Sequence, residues 1–163
     1  MNKSRIGVRM ARISIIAGVY IALTAVGGAW SYGPIQLRVS DALVVLPFLD
    51  KIGFDAMIGI LIGGSFANLF GPFGIIDFVF GLIGGLIVEP LYYFMGKWKR
   101  NAWTLTLASV ISSIYIALWI GYCELHLVFG APEWVVWSIL ASELLVLVAG
   151  GYLIYKFAER LGL

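Results

Sequence analysis

The chain has 163 residues, of which 61% are hydrophobic and 12% are charged, and its formal net charge is +2. Soluble domains carry about 25% charged residues, so this composition excludes an ordinary soluble domain and indicates a protein dissolved in a lipid bilayer. At about 20 residues per transmembrane helix, the length fits a single membrane domain, residues 1–163, with roughly five or six spans.

Apolar segments follow one another along most of the chain. Predicted spans cover residues 11–30, 56–70, 75–95, 102–122 and 134–157, with a shorter apolar segment at 42–49. That segment is too short to cross alone. We expect it to use the preceding polar residues as its first turns, with Ser40 or Asp41 as the helix cap.

The charge distribution orients these segments. Basic residues gather near the N-terminus, at 97–100 and near the C-terminus, whereas the connection 123–133 contains acidic residues but no Lys or Arg. The positive-inside rule then places both termini in the cytoplasm, which requires an even number of crossings. We therefore predict an all-α integral membrane protein of the plasma membrane, with a six-transmembrane-helix bundle and both termini cytoplasmic.

A polar cluster, residues 32–43, lies between the first two apolar segments. It contains Arg38 and Asp41, and a charge in hydrocarbon costs about 2.5–3.5 kcal/mol, so we expect these residues to serve a function. In the predicted topology the cluster lies on the outer side with the connections 71–74 and 123–133, and the three converge on a pocket. At i,i+3 spacing, Arg38 and Asp41 equally fit an ion pair that holds the loop.

Carboxylates occur on the same side of the predicted bundle, at Asp41, Asp77, Glu124 and Glu143. Glu143 lies about ten residues into its helix, roughly 15 Å along the axis and close to the bilayer midplane. A carboxylate there pairs, takes up a proton or meets a cationic ligand. Arg38 is the one basic residue predicted on this side, so the acidic surplus predicts a ligand that is cationic or rich in hydrogen-bond donors.

Aromatic and small polar residues flank this region. Trp30 and Tyr32 border the polar cluster and are candidates for stacking on a flat ring, although such residues also form the aromatic belt of membrane interfaces. On the fifth helix, a small polar face suited to lining the cavity comprises Ser109, Ser113, Ala117, Ile120 and Glu124. Glu89, which precedes Pro90 in the fourth helix, is predicted to have a structural or partner-facing role.

Small residues recur at four-residue spacing in three predicted helices, which allows close helix approach in lipid. On the third and fourth helices we expect them to pack inside the bundle; they are Gly59, Gly63, Ala67, Gly81 and Gly85. On the first helix, Gly18 and Ala22 equally suit contact with a partner protein.

Sequence motifs for catalysis are absent. The chain has one histidine, one cysteine, and no nucleophile–base, metal-ligand or phosphate-binding pattern. It is therefore predicted not to be an enzyme, to carry no cofactor or metal, and to bind no nucleic acid. Without an ATPase motif, active transport by this chain needs energy from another subunit or from an ion.

The polar cluster also carries a family resemblance. Residues 32–43, Tyr-Gly-Pro-Ile-Gln-Leu-Arg-Val-Ser-Asp-Ala-Leu, followed by Leu46-Pro47, resemble the signature of queuosine-precursor S components. These are the QueT-type substrate-binding subunits of energy-coupling-factor (ECF) vitamin transporters. Their signature usually has an aromatic residue where this chain has Leu37, and glutamate where it has Asp41. Weaker similarity extends over nearly the whole chain, at Ala67-Asn68, Glu124, Gly130-x-Pro132 and Glu143.

The resemblance implies a prokaryotic six-helix S-component bundle that binds preQ1 or a related 7-deazaguanine. The implied acceptors for the ligand's ammonium and N–H groups are Asp41, Glu124 and Glu143. The residues implied to address its carbonyl edge, or to orient those carboxylates, are Gln36, Arg38 and Asn68. The rings implied to stack on the base are Trp30 and Tyr32.

The implied partners are a transmembrane coupling protein (the T component) and two ATP-binding-cassette ATPases. In this class, transport resembles a toppling of the loaded subunit in the membrane. A small-residue face on the first helix, Ala-x-x-x-Ala in the family, docks onto the coupling protein. The best match here is Gly18-Val19-Tyr20-Ile21-Ala22.

Three other functions remain compatible with the sequence. The same fold accommodates another vitamin, such as thiamine or riboflavin. A self-contained, proton-coupled transporter would use Glu143 as its relay. A membrane assembly or structural protein would have no ligand.

Overall fold

The structure, a computed structural model, describes residues 3–162, and all regular elements in that range are helical. The α-helices are α1 (Lys3–Gly27), α2 (Ala29–Tyr32), α3 (Gly53–Asn68), α4 (Ile75–Trp98), α5 (Ala102–Ile116), α6 (Trp134–Glu143) and α7 (Gly151–Arg160). A 3₁₀ helix, Val39–Phe48, lies between α2 and α3. The first π-helical segment, Ala117–Val128, continues α5, and the second, Leu144–Gly150, joins α6 to α7. The predicted all-α class is confirmed.

Within residues 3–162, the helical stretches long and apolar enough to cross a membrane are Arg5–Gly27, Ile75–Trp98, Ala102–Val128 and Trp134–Arg160. The 3₁₀ helix is shorter than a span, and α3 has 16 residues, so six crossings stay a prediction. The first helix ends earlier than predicted because Gly28 has a φ of +47°, a conformation that favours glycine. Trp30 therefore lies in the separate short helix α2.

The 3₁₀ helix runs through the interior of the bundle, packed against α1, α3, α4 and α7. The side chains of Val45, Phe48 and Leu49 are buried. Gly96 of α4 permits this close packing, since a Cβ atom there would lie 2.8 Å from the Cα atom of Phe48. Because this helix is held on all sides, the polar residues at its start have defined positions in the interior.

The polar cluster does supply the first turns of the second apolar segment, since the 3₁₀ helix begins at Val39. The prediction that Ser40 or Asp41 caps this helix is wrong, because both side chains bond to α1. Ser40 Oγ lies 2.7 Å from Thr24 Oγ1, and the Tyr20 hydroxyl donates a hydrogen bond to the Asp41 carboxylate. Tertiary contacts with α1 thus replace a local cap.

Small residues bring neighbouring helices close together. A Cβ atom on Gly63 of α3 would lie 2.8 Å from the backbone oxygen of Ala17 in α1. One on Gly85 of α4 would lie 2.8 Å from a methyl carbon of Leu61 in α3. These contacts confirm the predicted internal packing of α3 and α4. At Gly18, no side chain or neighbouring helix of the described chain lies within 4 Å of an added Cβ atom, so that face of α1 points out of the bundle.

The polar residues of α5 are used in helix packing. Ser109 Oγ accepts a hydrogen bond from Tyr92 at 2.9 Å and donates one to the Leu147 carbonyl at 3.1 Å. Ser113 Oγ donates to the Ser109 carbonyl at 2.9 Å. The prediction that Ser109 and Ser113 line a cavity is therefore wrong. The Ser109 hydroxyl instead connects α4, α5 and the second π-helical segment, while that of Ser113 bonds within α5.

Candidate ligand-binding site

A cavity of about 400 Å³ lies at the end of the bundle where the connections 33–38, 69–74 and 129–133 meet. Residues of all three connections line it, together with side chains from α1, the 3₁₀ helix, α3, α4 and the first π-helical segment. Its size falls in the usual range of small-molecule sites, about 300–1,000 Å³. The three connections therefore converge on a pocket, as predicted.

The cavity brings together most of the predicted binding residues; lining it are Tyr32, Gln36, Arg38, Asp41, Asn68, Glu124 and Glu143. From the predicted face of the fifth helix, Ile120 and Glu124 line the cavity, whereas Ala117 is buried in the packing. Trp30 does not line the cavity, and its side chain is 64% exposed on the outside of the bundle. The geometry therefore gives no support to stacking by Trp30.

Two serines of α6 hold the polar loop at the cavity. Ser138 Oγ donates to the Pro34 carbonyl at 2.6 Å, and Ser142 Oγ donates to the Ile35 carbonyl at 2.7 Å. The next residue, Gln36, has a φ of +50°, a conformation that few non-glycine residues adopt. These contacts hold the loop backbone in place, and Gln36 contributes to the cavity wall from there.

Arg38 is the one basic residue of the cavity wall in the described chain. Its guanidinium carbon lies 5.9 Å from the centroid of the Tyr32 ring, and its Nε atom is buried without a hydrogen-bond partner among residues 3–162. Over the same range no ion pair joins Arg38 to Asp41, which accepts its hydrogen bond from Tyr20. Arg38 Nε is therefore left as a free donor at the cavity. The phenol of the neighbouring Tyr32, whose pKa is raised by burial, donates to the Ala67 carbonyl at 2.8 Å.

Three glutamates have unpaired oxygens at the cavity. Glu89, Glu124 and Glu143 are 4%, 2% and 3% exposed, and one carboxylate oxygen of each has no hydrogen-bond partner within the described chain. Asp41 and Asp77 also line the cavity. Leaving a buried polar group unsatisfied costs about 1–3 kcal/mol, and more when it is charged. The arrangement therefore favours a ligand with several donors or a positive charge.

A metal ion is a poorer match to these carboxylates. Among residues 3–162, no group of three or more His, Cys, Asp and Glu side chains is arranged to hold one. An extended organic ligand can satisfy carboxylates that lie apart from one another, which a single ion cannot.

Glu89 and Asp77 line the cavity although neither belongs to the predicted binding set. For Glu89 the predicted structural or partner-facing role does not match this position. The signal is present in the sequence, since a carboxylate inside a long apolar helix is costly in lipid, the criterion that singles out Glu143. Asp77 Oδ2 accepts a hydrogen bond from the Phe73 backbone N–H at 3.1 Å, which holds the connection that precedes α4.

Trp119 forms an aromatic part of the cavity wall. Its Nε1–H donates to the Phe80 carbonyl at 2.9 Å, and its ring is parallel to that of Tyr115 with centroids 6.4 Å apart. Tyr115 also lines the cavity. The sequence carries no distinguishing signal, because a tryptophan near a helix end equally fits the interfacial belt. Trp119 therefore replaces Trp30 as the candidate for stacking on a flat ring.

A family model described as "QueT transporter" matches residues 10–160, from α1 through α7. The curated protein "Queuosine precursor transporter QueT" from Lactococcus lactis subsp. cremoris (strain MG1363) is 30% identical over 165 aligned residues. The aligned region covers 93% of this chain and 92% of that protein. No solved structure matches the chain. The resemblance of the polar cluster is confirmed: the chain belongs to the QueT transporter family and is a multi-pass protein of the plasma membrane.

Proposed function

We propose that this protein is the substrate-binding membrane subunit, or S component, of an ECF-type importer, and that it binds preQ1 or a related 7-deazaguanine. The relative from Lactococcus lactis is named a queuosine precursor transporter, which makes such a precursor the leading ligand. In this proposal the chain binds and carries its ligand without changing it chemically.

The observation that carries the proposal is the set of buried, unpaired carboxylate oxygens at the cavity, on Glu89, Glu124 and Glu143. A 7-deazaguanine has N–H donors on its guanine-like edge, and preQ1 adds an aminomethyl ammonium. Buried charged groups are tolerated when good hydrogen bonds and opposite charge satisfy them. A donor-rich cation therefore suits this cavity better than a neutral or anionic vitamin.

Each part of the ligand then meets a set of lining residues. The acceptors for its N–H and ammonium groups include Asp41, Glu124 and Glu143. The residues that address the carbonyl edge or orient those carboxylates are Gln36, Arg38 and Asn68. Tyr32 and Trp119 stack on the ring.

We further propose a six-helix topology with both termini in the cytoplasm and the cavity open to the exterior. The 3₁₀ helix and α3 then complete two short crossings. Charge supports this orientation, because basic residues gather at the end of the bundle opposite the cavity; those lining a depression there are Arg9, Arg12, Lys51 and Lys97. The positive-inside rule assigns that end to the cytoplasm.

Energy comes from partners in this proposal: a transmembrane coupling protein and two ATP-binding-cassette ATPases. The outer face of α1 supports docking of such a partner, since Gly18 and Ala22 are exposed while Tyr20 on the other face is buried. A face of small side chains lets another helix approach closely in lipid. Toppling of the loaded subunit would then expose the cavity to the cytoplasm.

Titration calorimetry of the purified chain with 7-aminomethyl-7-deazaguanine tests the ligand. We expect saturable one-to-one binding, with no binding of thiamine or riboflavin. Tight binding of either vitamin in place of the deazaguanine would keep the fold and change the ligand. Binding of none of them would favour an assembly or structural role.

Uptake into liposomes tests the coupling. We expect transport only when the coupling protein and both ATPases are reconstituted with the chain and ATP is supplied. Uptake by the chain alone under a proton gradient would contradict this and support a self-contained transporter with Glu143 as its relay.

A further inference from the structure

The cavity has acidic groups on both sides of its aromatic wall. Trp119 lies level with Gly84 of α4, since a Cβ atom there would be 3.2 Å from Trp119 Cδ1. Glu89 follows Gly84 by five residues, about 7.5 Å further into the bundle at 1.5 Å per residue. Asp77 precedes Gly84 by seven residues, about 10.5 Å toward the connections that surround the cavity mouth. Glu124 follows Trp119 in the same outward direction.

The inner pole consists of Asp41, Glu89 and Glu143, each from a different helix. Asp41 is the main charged neighbour of Glu89 and Glu143. The outer pole consists of Asp77 and Glu124, and Asp77 is the main charged neighbour of Glu124. Glu89 and Glu143 are more than nine-tenths buried, and each has an unpaired carboxylate oxygen in the described chain. The inner pole is therefore a group of three acids in which Asp41 accepts a hydrogen bond from Tyr20, while each glutamate keeps an oxygen without a donor in the described chain.

The protein supplies little positive charge to the inner pole. Arg38 is the one basic residue of the cavity wall in the described chain, and it acts on Asp41 and Glu143 as well as on Glu124, so a single positive charge faces the three acids of the inner pole. At the outer pole, Asp77 is partly exposed to solvent and accepts a hydrogen bond from the backbone N–H of Phe73, so part of its hydrogen-bonding capacity is already satisfied. A ligand with its positive charge at one end therefore gains most when that end lies at the inner pole.

We propose that the inner pole binds the ammonium of the ligand, and that Glu89 selects an aminomethyl group over a neutral substituent at the 7-position. This inference rests on the proposed function and adds the orientation of the ligand. The base stacks on Trp119, its N–H edge faces Glu124, and its ammonium points into the bundle toward Glu89.

Two probes with the same base separate charge from shape: 7-aminomethyl-7-deazaguanine and its 7-cyano analogue, which has no ammonium. Calorimetric titration of the purified full chain measures both. We expect the wild-type chain to bind the aminomethyl probe at least tenfold more tightly. In Glu89→Gln the preference falls below threefold because only the aminomethyl probe loses affinity. The matched variant Glu124→Gln weakens both probes by a similar factor.

An equal loss for both probes in Glu89→Gln, or an unchanged preference, would overturn the inference while the proposed function stands. When Glu89→Gln does not fold, Glu124→Gln still decides the orientation, because a lost preference in that variant would place the ammonium at the outer pole and overturn the inference. A wild-type chain that binds both probes equally would overturn the orientation, and one that binds neither would remove the proposed function as well.

Discussion

The Tyr20 hydroxyl of α1 donates a hydrogen bond to the Asp41 carboxylate at the start of the 3₁₀ helix. Both residues line the cavity, while Gly18 and Ala22 are exposed on the other side of α1. A single helix therefore connects the candidate ligand site with the candidate docking face.

Replacing Tyr20 by Phe removes a donor from a buried carboxylate. Because hydrogen bonds to charged groups contribute about 1.5–3 kcal/mol, we expect the free energy of unfolding to fall by that amount. Denaturant titration in detergent measures it. Tyr152→Phe is the control, since Tyr152 is 41% exposed. Equal effects of the two substitutions would contradict a structural role for the Tyr20–Asp41 bond.

Replacing Glu143 by Ala is expected to lower the affinity for 7-aminomethyl-7-deazaguanine at least tenfold. Truncating one partner of a buried charged pair costs about 2–5 kcal/mol, which exceeds the change required. Calorimetry on the purified variant provides the measurement. Glu133→Ala, at an exposed position on a connection near the cavity, is the control and should bind normally. Unchanged affinity in Glu143→Ala would remove Glu143 from the site.

Replacing Trp119 by Leu tests which aromatic ring stacks on the ligand. Stacking of a base on an aromatic side chain contributes about 1–3 kcal/mol, so we expect affinity to fall by roughly 5- to 150-fold. Trp30→Leu should leave the affinity unchanged, because Trp30 does not line the cavity. The reverse pattern would restore Trp30 as the stacking residue.

Replacing Gly18 by Leu should block docking without affecting the ligand site. No side chain or neighbouring helix of the described chain lies within 4 Å of a Cβ atom at Gly18, so ligand affinity is expected to stay within twofold. Co-purification with the coupling protein and ATPases should fall at least fivefold. Val79→Leu, at an exposed position on α4, is the control for added bulk. A complex recovered in wild-type yield from Gly18→Leu would exclude this face as the contact.

Replacing Gly63 by Leu should destabilise the fold, which replacing Gly18 by Leu should not do. An added Cβ atom would lie 2.8 Å and 2.9 Å from the backbone O and Cα atoms of Ala17, so α1 and α3 must move apart. Overpacking of this kind costs about 1–3 kcal/mol, occasionally more. We expect a lower unfolding midpoint for Gly63→Leu than for Gly18→Leu, by thermal melting in one detergent. Equal midpoints would show that α1 and α3 do not pack closely at Gly63.

Sequence patterns predict well those features that depend on local composition. Long apolar runs predict α1, α4 and the helices that follow, because a span must bury its backbone polar groups within itself. The polar cluster between apolar segments predicts the residues of the loop and the first turn of the 3₁₀ helix. Of that cluster, Arg38 and Asp41 both line the cavity.

A regular helical period does not predict which side chains of the fifth helix face the cavity. Ser109, Ser113 and Glu124 share a face only when the helix keeps 3.6 residues per turn. From Ala117 onward the chain has i→i+5 hydrogen bonding, which turns each residue through a smaller angle and changes the direction of Glu124 relative to the two serines. The serines therefore pack between helices while Glu124 lines the cavity.

Ser138 and Ser142 bind the backbone of the polar loop to the helix that ends at Glu143. The loop at the cavity mouth and Glu143 in the cavity wall are thus both attached to α6. Any tilt of α6 moves both, so the width of the cavity mouth and the position of an acidic group in its wall change together. We expect release of the ligand to begin where α6 moves against the first π-helical segment, the element with which it packs most extensively.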